Sequence, residues 1–572
     1  MPETTVQPAA RIIAALLVSY GVKNVIVSPG TRNAPLIVAL ARQEGLTLHS
    51  IIDERTAGFV GLGMSGRLFE PVALVCTSGT AVLNYAPAIA EANYRNIPLI
   101  IVSADRPLRW IDQDDSQTIR QNGVLHQIVR GSFDISSDID ILDYEWTVKR
   151  TVCQAMLTAM GRPKGPVHIN VRFDNPLGKL CDVVDTPNDI LRNIQAISPT
   201  PRISRQDINL LGRSLINKKI LIIVGTNPPD DRLTKSLKII SQNSQIGIIG
   251  EAQSNMRGVK CVGSADALLV SLTEQEKHEL LPDVVFSIGG SVVSQSLKQW
   301  LRSCEKYEHW FLGAMRESEL VDCFQHLTQV LDVDVPVFLS MLAGYLRKHS
   351  DKTMDYAAIW HNKYENLQRR VKQYISSIGW CDLKVVHGLF ENLPPEVNLH
   401  LSNGMSIRYA QLSAYQRYHR VDCNRGCSGI EGSTSTAIGA SIRSKRPTVL
   451  ISGDMSARYD IGGMAVSNMA DNFTMFVINN GGGDIFRVIN NTRHLQEREE
   501  FMAVGTSDDF REIANAFGMQ YFYIDNISEL KKVCDKMRQH HSVPWFCEVD
   551  TRNVENAVQY QNLYKQLKEN LL

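Results

Sequence analysis

Short runs of Val, Ile and Leu recur along the chain, each closed by Gly, Ser or Asp and followed by a helical pattern. The N-terminal third contains "NVIVSPGTRNAPL", "LHSIIDERTAGF", "VALVCTSGTAVLNYAPAIAEA", "PLIIVSADRP" and "VHINVRFDNPL". Continuous apolar strands alternating with helices predict parallel sheets covered on both faces. Around residues 185 to 205 the chain turns polar and Pro-punctuated, which reads as a linker. A second block carries "KKILIIVGTNPPD", "SQIGIIGE", "DVVFSIGGS" and "HWFLGA". After a polar helical connection, a third carries "NLHLSNGMSIRYAQ", "RPTVLISGDMSARYD", "FTMFVINNGGGDIF" and "PWFCEVDT". The pattern predicts three doubly wound α/β domains over residues 1–185, 200–345 and 365–572. Ligands of open α/β sheets gather at the carboxyl ends of the strands. In the first and third blocks the unusual polar residues fall there.

Composition narrows the choices. The chain has 572 residues, is 44% hydrophobic, and balances 60 Lys+Arg against 60 Asp+Glu. That balance gives no support for nucleic acid or anionic membrane as a partner. No apolar stretch reaches the roughly 18 residues of a membrane span, so a soluble, cytoplasmic protein is expected. The 11 cysteines form no C-x-x-C and read as reduced thiols; the closest pair is Cys423 and Cys427.

The strongest chemical signal lies in the third block. One apolar strand ends in Gly453-Asp454, and another ends 26 positions later in Asn479-Asn480, before Gly481 to Gly483. A carboxylate and a carboxamide oxygen from neighbouring strand ends suit Mg²⁺, with Mn²⁺ as the alternative ion. Helix N-termini beyond the strands would offer donors to a diphosphate. In the first block, Glu54 follows a strand that reads as fully buried. A carboxylate so placed needs a partner.

The Asp454…Asn480 spacing resembles the signature of thiamin diphosphate (ThDP) enzymes, with Met455 where the broad family has Gly. "SPGTRNAPL", "DERTAGF", "TSGTA", "ADRP", "QTIRQ", "NRGCSGIEG", "GDMSARYD" and "NNGGGDIF", in this order from residue 28 to 486, narrow the resemblance to the MenD family. These are the 2-succinyl-5-enolpyruvyl-6-hydroxy-3-cyclohexene-1-carboxylate synthases of menaquinone biosynthesis. The resemblance implies a pyrimidine-binding first domain, a central domain and a diphosphate-binding third domain. It also implies that 2-oxoglutarate is decarboxylated on ThDP and that the succinyl carbanion adds to isochorismate. Glu54, largely out of water, would then bond the cofactor pyrimidine as the catalytic carboxylate.

By the same resemblance, Asn403, Ile430, Asp454, Met455, Ser456, Asn480, Ile485 and Phe486 join Glu54 in binding ThDP. Ile430 would be the wedge that bends the cofactor, while Ile485 and Phe486 would wall its thiazolium. Asp454, Asn480 and Gly482 would hold the metal. Thr31, Arg32, Arg106 and Gln117 would face isochorismate, with Arg408 and Arg425 on carboxylates near the reacting centre. The two substrates carry two carboxylates each, and a convergence of arginines is what their recognition requires.

Two departures stand out. Gly404 occupies a position where much of the family has Ser, and the central domain offers "SQS", with Gln295, where some members carry a Lys-Arg pair. ThDP sites usually draw on two chains, so a homodimer or homotetramer is expected. The rival readings are another ThDP-dependent 2-oxo acid lyase such as acetohydroxyacid synthase, a nucleotide-binding oxidoreductase using "IVGTNPP" and "SIGGS", and a non-catalytic scaffold. Neither Gly-bearing stretch forms G-x-G-x-x-G.

Overall fold

The computed structural model describes residues 3–569 except 183–191, 198–200, 315–319, 414, 468, 506–508, 540 and 553. The expected domain limits at 185 and 200, and part of the linker between them, lie outside the described residues.

Three parallel sheets carry the chain. The first runs Thr47–Ser50, Asn24–Val27, Val72–Cys76, Leu99–Asp105, Val167–Arg172, Ser132–Ile135. The second runs Ile246–Gly250, Ile220–Val224, Val284–Ile288, Glu308–Leu312, Leu327–Leu331. The third runs Arg420–Cys423, Asn398–Leu401, Thr448–Gly453, Phe473–Asn479, Trp545–Asp550, Gln520–Ile524. Their central strands are buried along their length, as the continuous apolar runs require when helices cover both faces. This is the doubly wound α/β architecture. In each sheet the strand order reverses between the first and third strands in sequence, which opens a crevice at their carboxyl ends.

By compactness the chain forms two units that do not follow chain order. One comprises Met1–Ser198, Asn424–Ser444 and Tyr459–Ala470; the other comprises Pro199–Cys423, Lys445–Arg458 and Asp471–Leu572. Two segments that lie between strands of the third sheet in sequence thus belong to the first sheet's unit.

The helix Glu54–Leu68 is the spine of that unit. Asp53 caps it, accepting the Arg55 and Thr56 amides at 2.8 and 3.3 Å, and Phe69 ends it in the left-handed region at φ 57°. Thr56 to Gly66 are all buried, so this helix has no solvent face in its middle. It lies against the helix Ser433–Ser441, which is buried throughout. Their backbones nearly touch. A Cβ on Gly63 would sit 2.0 Å from the Thr436 carbonyl oxygen, and one on Gly439 would sit 2.1 Å from that of Val60. Only glycine fits at either position.

One expectation is corrected. The strand Thr47–Ser50 before Glu54 is not fully buried: it lies at the edge of the first sheet and is mostly half-buried. Its apolar neighbours Ile51 and Ile52 follow the strand, and Ile52 is exposed. Within the chain, Glu54 is half-buried rather than largely desolvated.

Candidate functional site

The first sheet's crevice opens between Asn24–Val27 and Val72–Cys76, whose turns carry Ser28 to Arg32 and Thr77 to Thr80. Arg32 is buried there and donates to the Phe173 carbonyl at 3.1 Å. Burial, and then the neighbouring Arg106 guanidinium, push Arg32 below the ordinary arginine range. Two arginines are therefore close enough to repel. Arg106 follows the strand Leu99–Asp105, pairs with Asp115 at 2.8 Å and donates through Nε to the Ser116 carbonyl at 2.9 Å. Thr31 and Gln117 are exposed beside them in sequence, and Gln117 takes φ 59°. Gly79 lies against Gln117, so both turns reach the same crevice.

A buried polar frame holds this edge in place. Arg172 bonds Asp105 at 2.9 Å and Asp134 at 3.1 Å, and donates to the carbonyl of Arg106 itself at 3.1 Å. Gln121 accepts the Gly79 amide at 2.7 Å and donates to the Ala104 carbonyl at 3.1 Å. Arg106 and Gly79 are thus positioned through their backbones, leaving the Arg106 side chain half-buried at the crevice.

Glu54 is the first residue of its helix and accepts a 3.4 Å contact from Asn84 Nδ2. Its charge adds to burial in raising Cys76 and Tyr85. The same unit contains the loop with Arg425 and Ile430. Buried Glu91 accepts the Gly426 and Cys427 amides at 2.8 and 2.6 Å, clamping that loop next to Arg425. Arg425 is half-buried, and Ile430 is 37% exposed. Asp460 anchors the following helix by accepting the Ser435 amide at 2.6 Å and hydroxyl at 2.7 Å.

In the other unit, the third sheet's crevice lies between Asn398–Leu401 and Thr448–Gly453. Ser402, Asn403 and Gly404 leave the first strand; Gly453 and Asp454 leave the second, and the Gly453 amide donates to Ser402 Oγ at 3.3 Å. Asn403, Ser456 and Asp454 are buried, while Met455, Ile485 and Phe486 are half-buried. Arg408 donates to the Gly404 carbonyl at 2.6 Å from one turn along the same helix. Gly404 takes φ 92°, which a serine would adopt only under strain.

The expected metal ligands fit a hard cation. Asp454 Oδ1 accepts the Met455 amide at 2.7 Å, but its buried Oδ2 has no hydrogen-bond partner. Burial pushes this carboxyl up to about 6, against the pull of the Met455 amide, Arg458 and the Gly481 and Gly482 amides. Asn480 ends the adjacent strand; its Nδ2 donates to Asp382 at 2.7 Å, and its Oδ1 accepts the Gly482 amide at 3.2 Å. Gly482 takes φ 150°, and a Cβ there would lie 2.3 Å from the Ala503 carbonyl oxygen. Among the described residues no three His, Cys, Asp or Glu side chains gather as a metal-binding group. One carboxylate, one carboxamide and a carbonyl leave coordination positions for water and phosphate, as Mg²⁺ prefers.

Motif reading passed over Asp382, Asp484, Thr551 and Glu91. Asp484 is buried, is paired with Arg487 and has its Oδ2 without a partner; burial raises it as well. Burial pushes Asp382 up to about 7. Asp484 stood in the quoted "NNGGGDIF", but Asp382, Thr551 and Glu91 lie in stretches without any chemical pattern.

The central sheet's crevice is closed. Across it, the Gly225 amide donates to the Ile288 carbonyl at 2.9 Å, Thr226 to Ser291 at 3.1 Å and Gly290 to Thr226 at 2.8 Å. The Val293 and Ser294 amides, at the start of the helix Gln295–Ser303, are taken by the buried Glu251 carboxylate at 2.6 and 2.7 Å. An internal carboxylate thus takes the free amides at this helix N-terminus. All eleven cysteines are free thiols, and among the described residues no helix is long and apolar enough to cross a membrane.

Three family models match the chain. They describe the N-terminal thiamine pyrophosphate (TPP) binding domain of TPP enzymes over residues 8–124, the middle domain over 204–401, and the C-terminal TPP binding domain over 402–549. The 2-succinyl-5-enolpyruvyl-6-hydroxy-3-cyclohexene-1-carboxylate synthase of Cytophaga hutchinsonii is 33% identical over 98% of this chain and 99% of its own length. The enzymes of that name from Flavobacterium johnsoniae and Porphyromonas gingivalis are each 33% identical, over 98% and 96% of this chain and 98% and 95% of their own lengths.

Proposed function

Because the chain belongs to the 2-succinyl-5-enolpyruvyl-6-hydroxy-3-cyclohexene-1-carboxylate synthase (MenD) family of thiamin diphosphate enzymes, we propose that it decarboxylates 2-oxoglutarate and transfers the succinyl unit to isochorismate. It is a transferase of menaquinone synthesis, using ThDP and Mg²⁺ or Mn²⁺. The observation that carries the metal–diphosphate part is the buried Asp454 oxygen without a hydrogen-bond partner, at the end of the strand paired with the one that leads to Asn480. When bound, ThDP supplies the nucleophilic carbon and electron sink for decarboxylation.

The chain's own residues do the rest. Asp454, Asn480 and the Gly482 carbonyl hold the ion, and Asn403, Met455 and Ser456 line the diphosphate. Glu54 would hydrogen-bond the cofactor pyrimidine and hold its proton. Ile430 would pack against the cofactor as a wedge, while Ile485 and Phe486 would keep water from the reacting centre. Arg32 and Arg106, whose mutual repulsion an anion relieves, take isochorismate carboxylates with Thr31 and Gln117. Arg408 and Arg425 take carboxylates near the reaction. The proposal extends to a cytoplasmic homodimer or homotetramer.

The test combines protein, ThDP, Mg²⁺, 2-oxoglutarate and isochorismate, and follows isochorismate absorbance. Loss that requires all components supports the reading. Loss no faster than in the ThDP-free control rejects it.

A further inference from the structure

Asp382 opens the helix Asp382–Asn392 in a stretch, "IGWCDLK", that resembles no motif. It is 1% exposed. One carboxylate oxygen accepts Asn480 Nδ2 at 2.7 Å and the other accepts Thr551 Oγ1 at 2.6 Å. Among the described residues, no Lys, Arg or His pairs with it. Its own position is fixed from behind: its amide donates to Asn556 Oδ1 at 2.8 Å, and Asn556 Nδ2 donates to the Thr551 carbonyl at 3.0 Å. The Thr551 amide in turn donates to the Asn479 carbonyl at 3.0 Å, tying the group to the strand that ends in the candidate ligand.

A carboxamide can present either end to a cation, and only its oxygen is a ligand. Both Asp382 oxygens act as acceptors, so Asp382 holds the Nδ2 end of Asn480. That leaves Oδ1 turned the other way, where it meets the Gly482 amide at 3.2 Å. We propose that Asp382 is the positioning residue of the metal site: it orients the Asn480 carboxamide from behind. The assignment rests on the reading that a divalent ion binds Asp454 and Asn480. Outer partners of this kind govern affinity in metal sites generally.

The test uses the full-length chain with ThDP and measures free Mn²⁺ by its electron paramagnetic resonance signal. Wild type is expected to bind Mn²⁺. Asp382→Asn removes one accepting oxygen and the selection of the amide end, and is expected to weaken Mn²⁺ about ten- to hundredfold. Its ThDP-free urea midpoint is expected to hold, whereas a purely structural role would lower that midpoint and leave the affinity of the folded protein intact. Thr551→Val frees one Asp382 oxygen but keeps the bond to Asn480; it is expected to weaken Mn²⁺ by a smaller factor, about threefold. Affinity within about twofold of wild type for Asp382→Asn overturns the assignment, and if that variant does not fold, the same result for Thr551→Val does so. Wild type that binds no Mn²⁺ with ThDP removes the metal site itself, and the assignment with it.

Discussion

Gly63→Ala puts one methyl group where the helices Glu54–Leu68 and Ser433–Ser441 cross. The added Cβ would lie 2.0 Å from the Thr436 carbonyl oxygen, 2.8 Å from its carbon and 2.9 Å from the Ala440 nitrogen. A carbon tolerates a carbonyl oxygen at about 3.3 Å, so the axes must part by roughly 1 Å. All three obstacles are backbone, and no side-chain rotation relieves them. Overpacking of this kind costs about 1–3 kcal/mol, to which lost dispersion along the crossing adds. One helix begins with Glu54, and the loop with Arg425 and Ile430 leads into the other. A displacement of about 1 Å at a reacting centre can cost about a hundredfold in rate. Urea denaturation and steady-state turnover read both effects. Gly66→Ala on the same helix is the control, because its Cβ would meet only the Ile97 side chain at 3.4 Å. That variant should be neutral or gain up to about 1 kcal/mol from helix propensity. Gly63→Ala matching Gly66→Ala in midpoint and turnover would refute the close-crossing argument.

Glu54→Gln should keep ThDP binding, read by circular dichroism, and lose about 10²–10⁴-fold in turnover; turnover like wild type excludes the proposed role. Arg106→Ala should raise the KM for isochorismate by about tenfold or more, with a smaller change in kcat, since it removes one charge-assisted partner of a carboxylate. An unchanged KM takes it out of the pocket. Burial lowers His168 from 6.5 to about 4, with Nε2 2.7 Å from Ser103 Oγ and Nδ1 without a partner. Between these pH values the unfolded chain binds the proton and the folded chain does not. The stability is therefore full above pH 6.5 and is lost as pH falls towards 4, by up to about 3 kcal/mol. The urea midpoint of His168→Gln should fall less steeply over that window; parallel curves would show that the imidazole titrates normally in the fold.

Much of this was legible from strand ends. Apolar runs closing in Gly-Asp or Asn-Asn are local signals, and they lead to Asp454, Asn480 and the turns holding Arg32 and Arg106. Burial of Glu54 was not legible, because an apolar run does not reveal whether its strand sits in the middle of a sheet or at its edge. The edge position of Thr47–Ser50 depends on strand order, a property of the whole sheet. Nor was the positioning layer legible. Asp382 reaches Asn480 across 98 positions, and Glu91 reaches Gly426 across 335. An isolated Asp or Glu in a helical stretch looks like any solvated charge until the fold buries it. Glycines 63 and 439 were visible as letters, but their meaning came from a crossing between segments far apart in the chain.

The balance of 60 basic against 60 acidic residues conceals two places where like charges meet. In one unit Arg32 is buried beside Arg106, and burial and then that guanidinium push it below the ordinary arginine range. In the other, Asp382, Asp454 and Asp484 are buried, and the last two raise the first. Neither arrangement favours folding, since like charges in a low-dielectric interior repel strongly. Random placement of charges would scatter such costs over the surface, where water cancels them. Concentrated at strand ends, they would be offset by the ligands of the proposed function: carboxylates for the arginines and a divalent ion for the aspartates. Each such ligand would stabilise the folded chain in proportion to the logarithm of its concentration over Kd. On that proposal, the strain at the two places is the same free energy that makes them bind.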